Sequence, residues 1–246
     1  MGTIEVRSLL NPVVGILDGA ETSLDTDFSR YSSDALESRL ESWRYAHLKR
    51  AIDVLGSLAL FAAFALPGLF CALSIVLTSK GPIFYRETRI GRFGRPFRIW
   101  KFRTMCNGTQ ESLAADTVSC SSEELMRWRT QKDVPDPRIT PTGRFLRRWS
   151  LDDIPQILNV IRGEMSLIGP RPVVDAEVAL YGELQHFYLA ARPGLSGLWQ
   201  VSGRSNVSFA ARAYLDAQYV RSWTLRKDVG LLFRTVPAVL SRTGAR

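Results

Sequence analysis

The sequence predicts a mainly helical α/β protein attached to a membrane, and three observations carry that class. Val54 to Leu77 is an uncharged run of 24 residues, about 36 Å long as a straight helix and therefore long enough for the hydrocarbon core of a bilayer. Ser208–Trp223 and Asp228–Ser241 repeat apolar residues at helical spacing. Phe84–Tyr85 and Phe97–Phe102 are short aromatic-rich stretches on either side of Gly91–Gly94, the pattern of two strands around a turn.

Charge divides the chain. Residues 1–43 hold eight acidic and three basic residues, so the net charge of +8 becomes +13 over residues 44–246. The acidic, serine-rich beginning is expected to be a disordered tail, with a helical turn over Ala35–Trp43. Its apolar run is too short and poorly flanked for a signal peptide. A body this basic expects an anionic partner: nucleic acid, lipid headgroups or a phosphorylated substrate. No helix-turn-helix, finger or ribonucleoprotein motif is visible, so nucleic acid is set aside. The odd trio Cys71, Cys106 and Cys120 lacks metal spacing and fits a reducing compartment. With only His47 and His186, a histidine-rich zinc site is not expected.

The membrane segment has basic residues on both sides, Arg44, Lys49 and Arg50 before it and Lys80, Arg86, Arg89 and Arg92 after it. The preference of basic flanks for the cytoplasm places both ends on one side. Pro67, followed by Gly68, removes a backbone donor near the middle and invites a break. A single-pass anchor and a helix-break-helix that returns to its own side both fit these residues. At the entrance, Lys49 and Arg50 are expected at headgroup depth, holding lipid phosphate, with Asp53 paired to one of them.

Gly81–Met105 is a basic hairpin in which Glu87 is the one acidic residue. Its stripe of arginines suits anionic headgroups, with Lys101 and Arg103 turned towards substrate. Cys106–Val134 reads as a polar insert, helical over Glu123–Gln131. Arg192–Arg204 is a glycine-rich, aromatic loop suited to framing a nucleotide or sugar. For the two last helices, core packing and docking on the membrane surface are both open.

The chemistry concentrates in Leu146–Pro172, LRRWSLDDIPQILNVIRGEMSLIGPRP. Ser150 can cap a helix, with Asp153 completing an approximate capping box. Because Pro155 prefers the first helical position, a register capped by Asp153 or Ile154 is equally consistent. Either register puts Asp152 and Asp153 at a helix N-terminus, where free N–H groups favour anions. Ile154, Ile157, Leu158 and Ile161 continue at helical spacing until Gly163 ends the helix. Arg147 and Arg148 precede the pair, and Gly169-Pro170-Arg171-Pro172 holds an arginine on a stiff backbone. Paired carboxylates amid arginines suit phosphoryl transfer, where positioning and charge stabilisation dominate.

With KRAIDV (Lys49–Val54), GPIFYRETRIGRFGRPFRIWKFRTM (Gly81–Met105), DPRITPTGRFLRR (Asp136–Arg148), SLDDIPQILNVIRGEMSLIGPRP (Ser150–Pro172) and RPGLSGLWQVSGR (Arg192–Arg204), the chain resembles the bacterial sugar transferases, or monotopic phosphoglycosyl transferases. Within them it is most similar to the exopolysaccharide undecaprenyl-phosphate galactose phosphotransferases. The resemblance runs from about Lys49 to Ser241 and, beyond the tail that composition gives over residues 1–43, implies a re-entrant membrane helix over 44–80 and a cytoplasmic and interfacial transferase domain over 81–246. It further implies transfer of hexose-1-phosphate, galactose-1-phosphate first, from a UDP-sugar to undecaprenyl phosphate with release of UMP, at the cytoplasmic face of a bacterial inner membrane. Carried over by position, Asp152 is the nucleophile and Asp153 the Mg²⁺ ligand, with or without Asp152. Arg147 and Arg171, joined by Lys101 and Arg103, bind substrate phosphate; Lys49, Arg50 and Asp53 face the lipid; Pro67 makes the break. The family dyad is usually Asp-Glu, and a Ser usually precedes the kinking proline; here these positions are Asp153 and Leu66. Inner-membrane phospholipids are the implied surroundings, and a homo-oligomer stays open. The contrasting expectation is a non-catalytic membrane-tethered protein whose basic face binds anionic lipid or nucleic acid.

Overall fold

A computed structural model describes residues 44–106, 136, 138–203 and 207–240. The expectations for residues 1–43, for the helix within Glu123–Gln131 and for Cys120 lie outside the described residues. A π-helical turn, Arg44–Lys49, leads into the long helix α1 (Arg50–Thr78). An antiparallel hairpin follows, β1 (Phe84–Ile90) against β2 (Pro96–Phe102), with Phe84 opposite Phe102 and Ile90 opposite Pro96. Its strands run longer than the aromatic stretches alone indicate, because Arg86, Thr88 and Arg98 also take alternating positions in the ladder. After the insert come α2 (Pro141–Arg148), a 3₁₀ turn (Leu151–Gln156) and α3 (Ile157–Arg162). Gly163 ends α3 as expected, at φ 84° in the left-handed region where glycine is unstrained.

A second, parallel pair is formed by β3 (Ser166–Ile168) and β4 (Gly194–Ser196). Between them lie the short α4 (Asp175–Val178), a 3₁₀ turn (Ala179–Leu184) and α5 (Gln185–Ala190). The chain closes with α6 (Leu198–Val201), α7 (Phe209–Arg221) and α8 (Leu225–Leu240). Helices around two small sheets are the mainly helical α/β class that the sequence predicts. The core gathers Ile99 of β2, Met165, Ile168, Phe187 and Val220.

Helices α7 and α8 resolve the choice between core and surface differently. Every residue of α7 from Ala213 to Val220 is buried, so this helix is core. Helix α8 buries Asp228 and Leu231 but exposes Val229, Phe233 and Val236. Its outer face is apolar, as is that of α1, where Phe61, Leu66, Leu69 and Phe70 are exposed. Large side chains left out of a core in this number mark an interaction surface.

Helix α1 does not leave the body. At its first turn, Arg50 donates to the carbonyls of Val160 and Ile161, both at 2.6 Å. Asp53 accepts from Ser166 Oγ at 2.9 Å and from the Leu167 N–H at 3.0 Å. At its last turns Cys71 and Ile75 pack with Phe102 and Leu146, and Thr78 Oγ1 meets Thr142 Oγ1 at 2.8 Å. A single-pass anchor would carry one end about 30 Å beyond the body. Both ends on one body make this a monotopic membrane protein. Pro67 lies inside one continuous helix, so its effect is one missing N–H rather than a non-helical residue between two helices.

The entrance residues depart from the expectation that they face lipid phosphate. Lys49 is 4% exposed, and its ammonium donates to Asp228 Oδ2 at 2.6 Å, the Ile168 carbonyl at 3.0 Å and the Tyr219 hydroxyl at 3.2 Å. An ammonium has three protons, and all three have internal acceptors. Arg50 stops the open carbonyls of α3, and Asp53 holds β3 rather than a neighbouring cation. Local sequence placed these groups at the membrane; partners more than a hundred residues away draw them inwards.

Two measurements check this arrangement. Lys49→Met leaves Asp228 buried without its counter-charge and should cost about 3–5 kcal/mol of stability, while Lys49→Met with Asp228→Leu should recover a large part of it. Melting of the detergent-purified variants reads both, and a Lys49→Met melt matching wild type would dismiss the pair. Cysteines introduced by Arg44→Cys and Lys80→Cys should react with an impermeant label from the same side of sealed vesicles; opposite-side labelling would restore a spanning helix.

Candidate active site

The aspartate pair sits where β2 packs on the 3₁₀ turn Leu151–Gln156. Pro155 explains the tighter winding: it has no N–H for the first α-helical bonds, so α3 begins only at Ile157. The capping box does not form. Ser150 adopts φ 54°, ψ 26°, in the left-handed region, and its side chain makes no cap bond. Asp153 Oδ1 instead accepts from Lys101 Nζ at 2.8 Å and from Gln156 Nε2. The carboxylates lie in the first turn of a six-residue 3₁₀ segment rather than at an α-helix N-terminus.

Around them opens a cavity of about 1060 Å³. Of the residues singled out from sequence, Lys101, Arg103, Arg147, Asp152, Asp153 and Arg171 all line it. Lys49, Arg50, Asp53 and Pro67 are not among the residues that line it. The opposite wall is apolar, from Leu60 and Phe64 of α1 and Leu232, Val236 and Val239 of α8. One cavity thus carries a charged floor and an apolar side formed by the two helices with exposed apolar faces.

Each charged residue has its own support. Arg147, on the last turn of α2, donates through Nε to Thr104 Oγ1 at 2.9 Å. Helix α2 is itself fixed there: Thr140 caps it by accepting from the Gly143 N–H at 2.9 Å, and the Thr140 N–H reaches the Thr104 carbonyl at 3.0 Å. Arg171 is held through the backbone. Its N–H donates to Asp216 Oδ2 at 3.2 Å, and Gly169 and Gly194 approach so closely that a Cβ on Gly194 would stand 2.1 Å from the Gly169 nitrogen. Glycine in the Arg192–Arg204 stretch therefore serves backbone contact with the Gly-Pro-Arg-Pro turn. Arg103 lines the cavity too and is tied to the end of α1 through Nη2, which donates to the Ser79 carbonyl and hydroxyl, while its Nε and Nη1 are buried without a partner among the described residues.

Electrostatics separates the two aspartates. Burial, reinforced by the Asp153 charge, pushes the Asp152 carboxyl up to about 6, against the pull of Lys101 and Arg147. The adjoining Asp153 raises the Lys101 ammonium above its ordinary range, against burial. Asp153 is thus bound by Lys101 and Gln156, whereas the attraction of Lys101 and Arg147 only partly offsets the burial of Asp152. Burial also lowers Arg171, with Arg212 and Arg89 adding like-charge repulsion.

Sequence reasoning did not single out Arg89 and Arg212 on the cavity wall, or Asp216 and Asp228, and it reached Trp199 only as part of the loop Arg192–Arg204 expected to frame a nucleotide or sugar. The available signal was weak: Arg212 and Asp216 stand four apart on one helix, and Asp228 is a lone carboxylate opening an apolar helix. Among the described residues there is no group of three or more His, Cys, Asp or Glu side chains able to hold a metal by themselves.

The model of the bacterial sugar transferase family matches residues 44–242. The exopolysaccharide production protein ExoY of Sinorhizobium fredii is 44% identical over 200 residues, covering 80% of this chain and 87% of that protein. The undecaprenyl-phosphate galactose phosphotransferase of Salmonella typhimurium is 42% identical over 201 residues, 80% of this chain and 41% of its own. The UDP-glucose:undecaprenyl-phosphate glucose-1-phosphate transferase of Caulobacter vibrioides is 39% identical over 206 residues, 80% of this chain and 71% of its own.

The raised Asp152 carboxyl gives a stability signature. Unfolded, it would titrate near 3.8. Its stabilising contribution is therefore fully present below that pH and is lost as pH rises through about 6. In metal-free buffer, Asp152→Asn should melt above wild type at pH 8, and the difference should shrink towards pH 4. A difference independent of pH would show that Asp152 ionises normally.

Proposed function

The chain belongs to the bacterial sugar transferase family, and from that premise we propose that it moves galactose-1-phosphate from UDP-galactose to undecaprenyl phosphate, the first step of exopolysaccharide assembly. The observation that carries this reading is the cavity itself. It joins an aspartate pair and its cations to an apolar wall built by the two helices with exposed apolar faces. A nucleotide sugar needs the first and a polyprenyl phosphate needs both. The family's enzymatic character sets aside a non-catalytic lipid or nucleic-acid binder.

In the first half-reaction a carboxylate oxygen of Asp152 attacks the β-phosphorus, and the bond from that phosphorus to the α–β bridging oxygen breaks. UMP departs with the bridging oxygen, leaving the sugar-phosphate on Asp152. In the second, a phosphate oxygen of the lipid attacks the same phosphorus, and the Asp152 carboxylate leaves. A carboxylate saturated with donors is a poor nucleophile, and the cations beside Asp152 only partly offset its burial. Lys101 holds Asp153 in place, and Arg147 and Arg171 take up charge on the transferring phosphoryl group.

The residues fit Mg²⁺ shared with substrate rather than caged by protein. Asp153 Oδ2 and the Asp152 carboxyl remain beside each other, and Mg²⁺ accepts one or two carboxylates together with phosphate oxygens and water. When bound, it would neutralise diphosphate charge. Residues 44–80 serve as the membrane-embedded unit and residues 81–246 as the transferase region, on the cytoplasmic face of a bacterial inner membrane. Galactose is preferred because two relatives named for galactose, at 43% and 42% identity, are more similar to this chain than the glucose-1-phosphate transferase at 39%, while a third galactosyl transferase stands at 34%.

Incubation of the purified protein with UDP-galactose and Mg²⁺, without acceptor, should release UMP and add a hexose-phosphate mass to the peptide bearing Asp152. Undecaprenyl phosphate should then discharge it. Asp152→Asn should lose at least about a hundredfold in UMP release, as expected when covalent catalysis is removed. Full turnover by that variant, or an adduct on another residue, would sink the mechanism; preference for UDP-glucose in a panel would correct the sugar.

A further inference from the structure

Arg171 and Arg212 lie 5.0 and 4.8 Å from the ring centre of Trp199, and all three line the cavity that holds Asp152. Nε of each arginine is buried without a hydrogen-bond partner among the described residues. This mode of support matters chemically. An aromatic face attracts a guanidinium through its quadrupole but accepts none of its N–H groups in the plane. It fixes the cation without taking up its N–H donors in an ion pair.

Among the described residues no neighbouring carboxylate forms an ion pair with either arginine. Asp216 takes the Tyr181 hydroxyl at 2.9 Å and the Arg171 backbone N–H at 3.2 Å, both on Oδ2, and its charge attracts Arg212 and Arg171 without pairing to either guanidinium. Glu87 is bound by Arg89, and Glu177 lies 3.9 Å from that same arginine. Trp199 is only 6% exposed, so it serves the arginines as a support rather than offering a face to a nucleobase. Arg171 interacts electrostatically with both Asp153 and Arg212. The Trp199 pair therefore adjoins the aspartates, as the α-phosphate of a nucleoside diphosphate adjoins the β-phosphate.

We propose that Arg212, beside Arg171 on Trp199, forms a second anion subsite that takes the α-phosphate of the nucleotide donor and holds the nucleoside monophosphate until it leaves. The assignment rests on the cavity being a phosphoryl-transfer site. It divides the labour: Lys101, Arg147 and the aspartates attend the phosphoryl group in transfer, and Arg212 attends the leaving half. Arg212 touches the donor only, so the lipid acceptor should not sense its loss.

The test titrates UMP into the full-length detergent-purified protein by calorimetry, with no acceptor and no turnover. Arg212→Gln should weaken UMP binding by about tenfold or more, the worth of a charge-assisted hydrogen bond. Arg212→Lys keeps the charge and loses the fork, and should weaken it to a lesser but measurable extent; this second variant reads the subsite should the first fail to fold. In the transfer assay, KM for UDP-galactose should rise with Arg212→Lys while KM for undecaprenyl phosphate stays unchanged. Arg226→Gln, an exposed position on α8, should bind UMP as wild type does. Wild-type UMP affinity in both Arg212 variants, or equal weakening by Arg226→Gln, would overturn the subsite even if transfer proceeds. UMP binding that depends on Arg212 without any transfer would support the subsite and instead overturn the transferase reading.

Discussion

The buried pair Lys49–Asp228 is the constraint on which the rest of the structure depends. Its atoms lie 2.6 Å apart, and each side chain is about 5% exposed. Two charges so far from water carry a desolvation cost of several kcal/mol each, offset only by close pairing and full hydrogen bonding. Both conditions are met. Lys49 also reaches Ile168 and Tyr219, while Asp228 also accepts from Tyr219 at 2.7 Å and Trp223 Nε1 at 2.9 Å. The network binds the turn before α1, the end of β3 and the start of α8 at one point. Asp53 adds a second tie to β3 four residues further along.

That junction determines where the chemistry takes place. Ile168 accepts from Lys49 and stands three residues before Arg171, so the base of the membrane helix and the phosphate-facing arginine share one short rigid segment. The backbone approach of Gly169 and Gly194 makes it more rigid still. Helix α1 consequently lies along the body with its apolar face outwards, and α8 leaves the same junction with another. The cavity between them meets water-loving and lipid-loving groups together because both walls start from the same buried ion pair.

Within the cavity the two aspartates differ through their partners rather than through their own chemistry. Lys101 and Gln156 converge on Asp153, while burial and a neighbouring negative charge work against ionisation of Asp152. One carboxyl is thereby fixed in position and the other left in a different environment, the means by which paired acids acquire distinct roles. Having Asp rather than Glu at position 153 suits this geometry, since the short side chain reaches Lys101 on β2 at 2.8 Å.

Much of this was legible from the sequence. The uncharged run fixed the membrane helix, the glycine turn fixed the hairpin, and the aspartates with Lys101, Arg147 and Arg171 were recognisable as parts of one site. Periodicity, turn chemistry and neighbouring residue types are local signals; Lys101, 51 positions before Asp152, joined the aspartates through the basic hairpin and the family resemblance. The partners of Lys49, Arg50 and Arg103 were not legible, because their roles are set by groups distant in sequence: Asp228 is 179 positions from Lys49. Nor could the pattern tell α7, buried in the core, from α8, apolar on its outer face, since burial depends on what packs against both sides. That Arg212 meets Trp199 was hidden for the same reason. A cation over an aromatic ring is a tertiary contact, and only folding brings α6, α7 and the Gly-Pro-Arg-Pro turn close enough to make it. The sequence by itself determined which reactive groups this protein carries and that it meets a membrane; the tertiary structure decided which charges face the cavity and which are cancelled inside, because desolvation and pairing act through space rather than along the chain.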